Sequence, residues 1–97
     1  MFYNTCDEAD AAWASSQLRP QPTAVYRSTL VTTPGRFGRV HRIYVETRRD
    51  NAIPLATQRR IVANTPCDAV VSLDCDHSPF LSCPTELARH LLERAVG

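Results

Sequence analysis

The sequence predicts a small α/β domain in which parallel strands are joined by helices, and three observations support this. The stretch RVHRIYVET, residues 39–47, is rich in the β-branched and aromatic residues that favour strands. The stretch CDAVVSLD, residues 67–74, has a second apolar run of strand length. The segment IPLATQRRIVANT between them has apolar residues at helical spacing. A strand, a helix and a strand connected in this way predict a parallel pair with a right-handed crossover.

Size and composition limit the class of protein and of partner. The 97 residues are enough for one small domain, and 43% hydrophobic with 22% charged residues is ordinary for a folded chain. A net charge of +1, with arginines in short scattered pairs, gives no basic face, so we expect no nucleic-acid partner. No apolar run approaches the roughly 20 residues of a membrane span. The opening MFYNTCDEAD lacks the pattern of a signal peptide, so the expected location is cytoplasmic.

The N-terminal segment predicts a short helix from about Asp7 to Leu18. Thr5 and Glu8 have the S/T-x-x-E spacing of a capping box, in which the two side chains satisfy free amides at a helix start. Pro20 stops the helix from continuing. Four residues give the helix an apolar side: Ala11, Trp13, Ala14 and Leu18.

Residues 20–38 are predicted to form an extended connection. They contain three of the seven prolines and two of the three glycines. A short strand is expected near residues 25–32, and it is the reason why two or three strands are predicted.

The pattern becomes more regular after residue 39. The strand at 39–47 ends before Arg48, and the next helix begins near Pro54, which is suited to a first helical turn. The apolar run at residues 69–71 predicts that the second strand is covered on both faces. The last segment, CPTELARHLLERAVG, predicts an amphipathic helix whose apolar side consists of Leu87, Leu91, Leu92 and Val96.

The cysteines do not have the spacing of a metal site. There is no CxxC pair, so a structural zinc site is not expected, and small thiol side chains in the core are the preferred interpretation. A metal site at Asp74, Asp76 and His77 is the weaker alternative, because those three ligands would need a fourth from outside. We expect no metal and no cofactor. The four cysteines are Cys6, Cys67, Cys75 and Cys83.

Two residues are candidates for chemistry because of where they follow the strands. Reactive groups gather beyond the carboxyl ends of parallel strands. Asp50 follows the first strong strand and His77 follows the second, so a carboxylate and an imidazole are expected to meet. An acid that orients a histidine is part of a nucleophilic triad. Taken alone, Asp50 could cap a helix or occupy a turn, and His77 could be a loop histidine bonded to the backbone.

The surroundings of these residues resemble the last third of an α/β-hydrolase, in the esterase branch that includes plant methylesterases and hydroxynitrile lyases. That branch carries its triad acid in a D-x-x-I-P loop, matched by Asp50, Ile53 and Pro54. The resemblance implies catalytic roles for Asp50 and His77, a small-molecule ester as substrate, a cap-derived segment at residues 1–38 and the C-terminal β-α-β-α part of the domain at 39–97. The triad histidine lies in a [DG]-H-x-x-[FM]-L-S-x-P context, matched by Asp76, His77, Phe80, Leu81, Ser82 and Pro84.

One part of that family's pattern is missing from these 97 residues. The family's serine nucleophile lies in a G-x-S-x-G turn, which also contributes to the oxyanion hole. The glycines here are Gly35, Gly38 and Gly97, and none is in such a turn. The resemblance therefore implies a truncated hydrolase, and we expect the chain alone to be inactive.

A different class of function stays open beside this one. The chain could instead be a non-catalytic binding module that uses the cap-like helix and an exposed strand edge. Two or three strands bury little apolar surface, so we also expect marginal stability, or self-association through the open edge.

Overall fold

The computed structural model describes residues 1–95. Within them, β1 and β2 form a two-stranded parallel sheet in register from Ile43 opposite Ala69 to Thr47 opposite Leu73. The predicted α/β class and the strand, helix, strand, helix order of the second half are confirmed. The elements are α1 Glu8–Gln17, α2 Ala24–Arg27, a 3-10 turn Phe37–Arg39, β1 Ile43–Thr47, α3 Leu55–Asn64, β2 Ala69–Leu73, α4 Pro79–Ser82 and α5 Pro84–Ala95.

The first strand is shorter than its composition predicts, and Arg42 fixes its start. The Arg42 amide donates to the Asp68 carboxylate at 2.7 Å, and its carbonyl accepts from the Asp68 amide at 2.7 Å. Its guanidinium also reaches the carbonyls of Phe37 and Pro66. One side chain thereby ties the preceding connection to the start of the sheet.

Helix α3 packs against β1 and helix α5 against β2, but one face of β2 remains partly exposed, which contradicts the prediction for that strand. Because alternate residues of a strand point to opposite faces, Val71 and Leu73 share a face, and they are 6% and 1% exposed. Helix α5 packs on that side. Val70 points the other way and is 47% exposed. The apolar run AVVSL indicates that both faces of the strand could be buried. A face becomes buried only where another element packs against it.

The N-terminal half departs most from the predictions. Helix α1 is capped by Asp7, whose carboxylate accepts from the Asp10 amide at 2.8 Å, so the Thr5–Glu8 capping box is wrong. The expected apolar side is largely exposed: Ala14 is buried, but Trp13 is 63% exposed. The predicted strand at 25–32 is also wrong, because a short helix takes its first part and none of the strands in the described residues 1–95 lies beside the remainder to complete a ladder.

The C-terminal helix is formed as predicted, with its apolar side partly open. Leu87 is half-buried, whereas Leu91 and Leu92 are 55% and 68% exposed. Val96, the last predicted apolar position, lies outside the described residues. Among residues 1–95, no helix is both long and apolar enough to cross a bilayer.

Candidate active site

The loops that follow β1 and β2 bring Asp50 and His77 into contact. A carboxylate oxygen of Asp50, Oδ2, lies 2.8 Å from His77 Nδ1, although 27 residues separate the two in sequence. The Asp50 side chain is 4% exposed and that of His77 is 36% exposed. The expected meeting of the two groups is therefore present in the structure, with the acid buried and the ring partly open to solvent.

Asp50 makes four hydrogen bonds that divide evenly between its two oxygens. Oδ1 accepts from the backbone amides of Ala52 and Ile53, each at 2.8 Å. Oδ2 accepts from the Thr47 hydroxyl at 2.9 Å and from His77. Burial by itself raises the pKa of Asp50, but the bonds from Ile53, His77, Thr47 and Ala52 outweigh it and bring the pKa below its ordinary value of 3.8. Asp50 is therefore ionised at neutral pH.

The charge on Asp50 determines which nitrogen of His77 carries the proton. An ionised carboxylate can only accept hydrogen bonds, so Nδ1 must donate to it. The neutral ring then has its lone pair on Nε2. No hydrogen bond to Nε2 is present within residues 1–95. A histidine whose Nδ1 is bonded to a carboxylate and whose Nε2 has a free lone pair is arranged to accept a proton from a nucleophile.

Gln58, on the first turn of α3, holds the acid loop against the end of β1. Its side-chain oxygen accepts from the Thr47 amide at 2.9 Å, and its side-chain nitrogen donates to the carbonyls of Thr47 and Ile53, each at 2.8 Å. Gln58 is only 2% exposed. It therefore fixes both ends of the turn that contains Asp50.

Asp76, the residue before His77, organises the second loop. It is fully buried, and its Oδ1 accepts from the Ser78 amide and the Ser82 hydroxyl, each at 2.9 Å. Its Oδ2 accepts from the Thr5 amide at 2.9 Å and the Cys6 thiol at 3.4 Å. These bonds shape the histidine loop and attach the N-terminal residues to it.

The start of the chain contacts both loops. The Asn4 side chain donates to the carbonyl of Arg49, next to Asp50, at 2.8 Å. The rings of Phe2 and His77 lie with their centroids 5.3 Å apart. Residues 2–6, called the N-terminal segment below, therefore lie across the edge of the site.

The cysteines beside the site are held as thiols. Burial, followed by the bond to Asp76, raises the pKa of Cys6 to about 11. Burial, followed by a bond with Cys83, raises the pKa of Cys75 to about 12. Thiols with such pKa values carry little thiolate at neutral pH and are poor nucleophiles. All four cysteines are free, but only Cys75 is fully buried; Cys6, Cys67 and Cys83 are half-buried.

A metal site at Asp74, Asp76 and His77 has no structural support in the part of the chain that is described. No group of three or more His, Cys, Asp and Glu side chains converges there. The oxygens of Asp76 are instead bonded to protein N–H, O–H and S–H donors.

Sequence reasoning did not find Gln58, Thr47 or the pairing of Thr5 with Asp76. Gln58 carries no signal, because a glutamine on a helix is normally solvated. Thr5 does carry a signal, its spacing to Glu8, but that spacing predicts a helix cap. Its hydroxyl instead accepts from the Asp76 amide at 3.0 Å, across a gap of 71 residues.

Comparison with known proteins agrees with this fold and this site. No model of a protein family matches the chain. A chloroplastic protein of Arabidopsis thaliana that carries the name methylesterase 11 is 36% identical over 96 residues, covering 98% of the chain and 25% of that protein. Pheophorbidase of Raphanus sativus is 34% identical, covering 99% of the chain and 37% of that protein. The crystal structure of polyneuridine aldehyde esterase superimposes with a TM-score of 0.87 and 25% identity, over 97% of the chain and 38% of that structure.

These matches have one feature in common. The chain spans between a quarter and two-fifths of the length of the proteins that it resembles. Nearly all of the chain takes part in each match, so both the N-terminal residues and the two loops are included. In sequence and in structure, the chain corresponds to the C-terminal part of an α/β-hydrolase esterase.

Proposed function

We propose that this chain supplies the acid and the histidine of an esterase active site. Asp50 orients His77, and His77 acts as the general base. The observation that carries the proposal is the 2.8 Å bond between a buried carboxylate and a half-exposed imidazole at the ends of two parallel strands. The proposed substrate class is a small-molecule carboxylic ester, as expected from the resemblance.

The proposed mechanism follows from the positions of the protons. Nε2 of His77 takes the proton of a serine hydroxyl as the oxygen attacks the ester carbonyl, and the ring becomes an imidazolium. Asp50 stabilises that positive charge through Nδ1 without itself accepting the proton. His77 then returns the proton to the leaving alcohol. The serine and the oxyanion donors come from a part of the hydrolase that lies outside these 97 residues.

The first test uses the 97-residue chain by itself. We expect no hydrolysis of an activated ester, such as a p-nitrophenyl ester, above the rate in buffer, because no hydroxyl among residues 1–95 is hydrogen-bonded to Nε2. Turnover well above background that is abolished by His77→Ala would show that the chain holds its own nucleophile.

A chimera provides the positive test. The matched 38% of polyneuridine aldehyde esterase would be replaced by this chain, so that the rest of that enzyme supplies the serine. We expect ester hydrolysis by the chimera, and a loss of roughly 10⁴-fold or more in kcat with His77→Ala or Asp50→Asn. His41→Ala, which changes an exposed histidine outside the site, serves as the control. A folded, active chimera that is indifferent to both site variants would contradict the proposal.

The open sheet favours self-association as a second role. A groove beside β1 and α5, called the apolar groove below, is lined by Ile43, Val45, Val71, His90, Leu91 and Arg94. Ile43 and Val45 belong to β1, which has β2 on one edge and, within residues 1–95, no strand on the other. We propose that a second copy of the chain covers this groove, because it would bury the apolar lining beside the free edge of β1.

The domain division and the location stay predictions. The support for residues 1–38 as a cap-derived part comes from residues 2–6, which contact the site, for example through the bond from Asn4 to the carbonyl of Arg49. Limited proteolysis of the chimera, with cleavage expected between residues 20 and 38, would test this division.

A cytoplasmic location is the expectation from the sequence, whereas several of the relatives are named as chloroplastic proteins. A fluorescent fusion would decide between the two compartments.

A further inference from the structure

We propose that Asp76 is a positioning residue for His77, and that it works by clamping the N-terminal segment onto the histidine loop. The inference rests on the proposed function, because the orientation of His77 matters only if its ring acts as the base. It goes further by assigning a task to a carboxylate that touches neither the reacting atoms nor Asp50. The clamp consists of Asp76 and Thr5.

Asp76 holds the backbone around His77. Asp76 Oδ1 binds the amide of Ser78 at 2.9 Å, and this bond closes a turn whose central residue is His77. The Ser82 hydroxyl donates to the same oxygen at 2.9 Å, from the following helix α4. The residues on both sides of His77 are therefore held by one side chain, which leaves the ring little freedom except rotation about its own bonds.

Asp76 and Thr5 form a reciprocal pair of hydrogen bonds. The Thr5 amide donates to Asp76 Oδ2 at 2.9 Å, and the Asp76 amide donates to the Thr5 hydroxyl at 3.0 Å. Two bonds in opposite directions fix both the distance and the orientation of two segments that are 71 residues apart. The Cys6 thiol adds a third contact to Oδ2 at 3.4 Å.

Beyond Thr5, the N-terminal segment also contacts the rest of the site. The Asn4 side chain donates to the carbonyl of Arg49, the residue before Asp50. The Phe2 ring lies against the His77 ring. The segment therefore links the loop of the base to the loop of the acid and covers one side of the imidazole.

Keeping the ionised carboxylate of Asp76 buried has a cost in free energy. The carboxylate is fully buried, and no cation pairs with it among the described residues. Burying an ionised group without a counter-ion is unfavourable unless hydrogen bonds replace its hydration. Burial raises the pKa of Asp76, but the Thr5 and Ser78 amides, the Ser82 hydroxyl and the Cys6 thiol together lower it below 3.8. The ionised Asp76 carboxylate is thus held by neutral donors alone, and these bonds fix the position of the histidine loop.

The test uses NMR on the 97-residue chain and needs no catalysis. Two signals report on the positioning of His77: the slowly exchanging Nδ1 proton that is bonded to Asp50, and the nuclear Overhauser effect between the Phe2 and His77 rings. Thr5→Val removes the hydroxyl at nearly constant shape and charge, and Thr5→Ser keeps the hydroxyl. We expect both signals in the wild-type chain and in Thr5→Ser, and their loss in Thr5→Val.

A second pair of variants tests the carboxylate itself. Asp76→Asn removes a buried charge, whereas Asp74→Asn removes an equal charge from an exposed position two residues earlier. We expect Asp76→Asn to lose both signals and Asp74→Asn to keep them. Amide cross-peaks of Val45 and Val71 show whether the sheet is still folded. Because Asp76→Asn is the more disruptive change, Thr5→Val is the variant that decides the question if the sheet signals of Asp76→Asn collapse.

The outcomes separate this inference from the proposed function. If both signals persist in Thr5→Val, or in a folded Asp76→Asn, the positioning role is wrong and the acid–histidine pair stands. If the sheet signals of Thr5→Val vanish as well, Thr5 and Asp76 support folding in general, and this also overturns the specific role. If the wild-type chain shows no protected Nδ1 proton, the acid–histidine pair itself is absent, and the proposed function fails together with the inference.

Discussion

At the scale of single residues, Asp50 shows how one buried carboxylate can both shape a loop and orient a ring. Oδ1 binds the amides of Ala52 and Ile53 within its own turn, and Oδ2 binds Thr47 and His77. The two interpretations of Asp50 from the sequence, as a turn residue and as the partner of a histidine, therefore apply to different oxygens. Neither role competes with the other, because a carboxylate has room for about four hydrogen bonds.

The hydroxyl of Thr47 provides a test of how the pKa of Asp50 is set. Thr47→Val removes one hydrogen bond to Oδ2 at nearly constant side-chain volume. Because that bond favours the ionised form, we expect the pKa of Asp50 in the folded chain to rise in the variant. The measurement is the pH dependence of the ¹³C carboxyl shift of Asp50.

The same change has a consequence for acid stability, and its sign can be worked out. The pKa of Asp50 is lowered in the folded state, so its contribution to stability is fully present above 3.8 and is lost as the pH falls toward the folded pKa. Raising the folded pKa makes this contribution smaller. We expect the stability of Thr47→Val to fall less steeply with pH below 3.8, and that of Thr47→Ser, which keeps the hydroxyl, to follow the wild-type chain. A Thr47→Val slope equal to that of the wild-type chain would contradict the role of the hydroxyl.

At the scale of elements, Gln58 takes the place of a neighbouring strand at the end of β1. The Arg48 amide donates to the Leu73 carbonyl at 2.9 Å, so Arg48 faces β2. Since peptide groups alternate in direction along a strand, the N–H and C=O groups of Thr47 point to the opposite, free edge. Both groups are bonded to the Gln58 side chain. Gln58 therefore satisfies the last position of an otherwise open ladder, and in doing so it attaches α3 to β1.

We expect Gln58→Leu to destabilise the chain by roughly 1–3 kcal/mol, because the two backbone groups of Thr47 and the carbonyl of Ile53 would be left without these partners. The measurement is the midpoint of urea unfolding, together with amide hydrogen exchange at Thr47, which should become faster. Gln17→Leu makes the same chemical change at an exposed helix end and should alter stability by no more than about 0.5 kcal/mol. Equal effects at the two positions would show that Gln58 is not specially placed.

The elements also show what the sequence can and cannot predict. The strand–helix–strand unit and the meeting of Asp50 with His77 were predictable, because they follow from strand composition and from the position of loops at the carboxyl ends of parallel strands. The expected strand near 25–32 failed because a strand requires a partner, and residue composition does not reveal whether one exists. Leu30 and Val31 have strand-like composition but are 88% and 90% exposed. The roles of Gln58 and Asp76 depend on contacts between distant segments, so no local pattern indicates them.

At the scale of the whole molecule, the chain is less compact than its size predicts. A folded monomer of 10.8 kDa is expected to expose about 5,500 Å², whereas this chain exposes 7460 Å². Its Cα radius of gyration is 15.3 Å, compared with about 12.5 Å for a typical domain of 97 residues. The excess surface includes apolar side chains. Examples are Val70 on β2 and Leu91 on α5. A chain with so much exposed apolar surface has a physical reason to associate.

Where the chain associates can be tested on two adjacent leucines of α5. Leu91 lines the apolar groove, and Leu92 is also exposed but lies on a different face of the helix. Ile43 and Val45 line the same groove and belong to the free edge of β1, so a second copy that covers the groove buries apolar surface and can also complete that edge.

Sedimentation of the 97-residue chain and of two variants tests this contact. We expect the chain to sediment as a dimer or larger species at micromolar concentration. Leu91→Glu should shift it toward the monomer, because the added carboxylate would lose its hydration among the apolar residues of the interface, and Leu92→Glu should leave the distribution unchanged. A wild-type chain that sediments as a monomer and unfolds cooperatively with high stability would show that the open sheet needs no partner. Equal dissociation by both variants would place the contact elsewhere on α5.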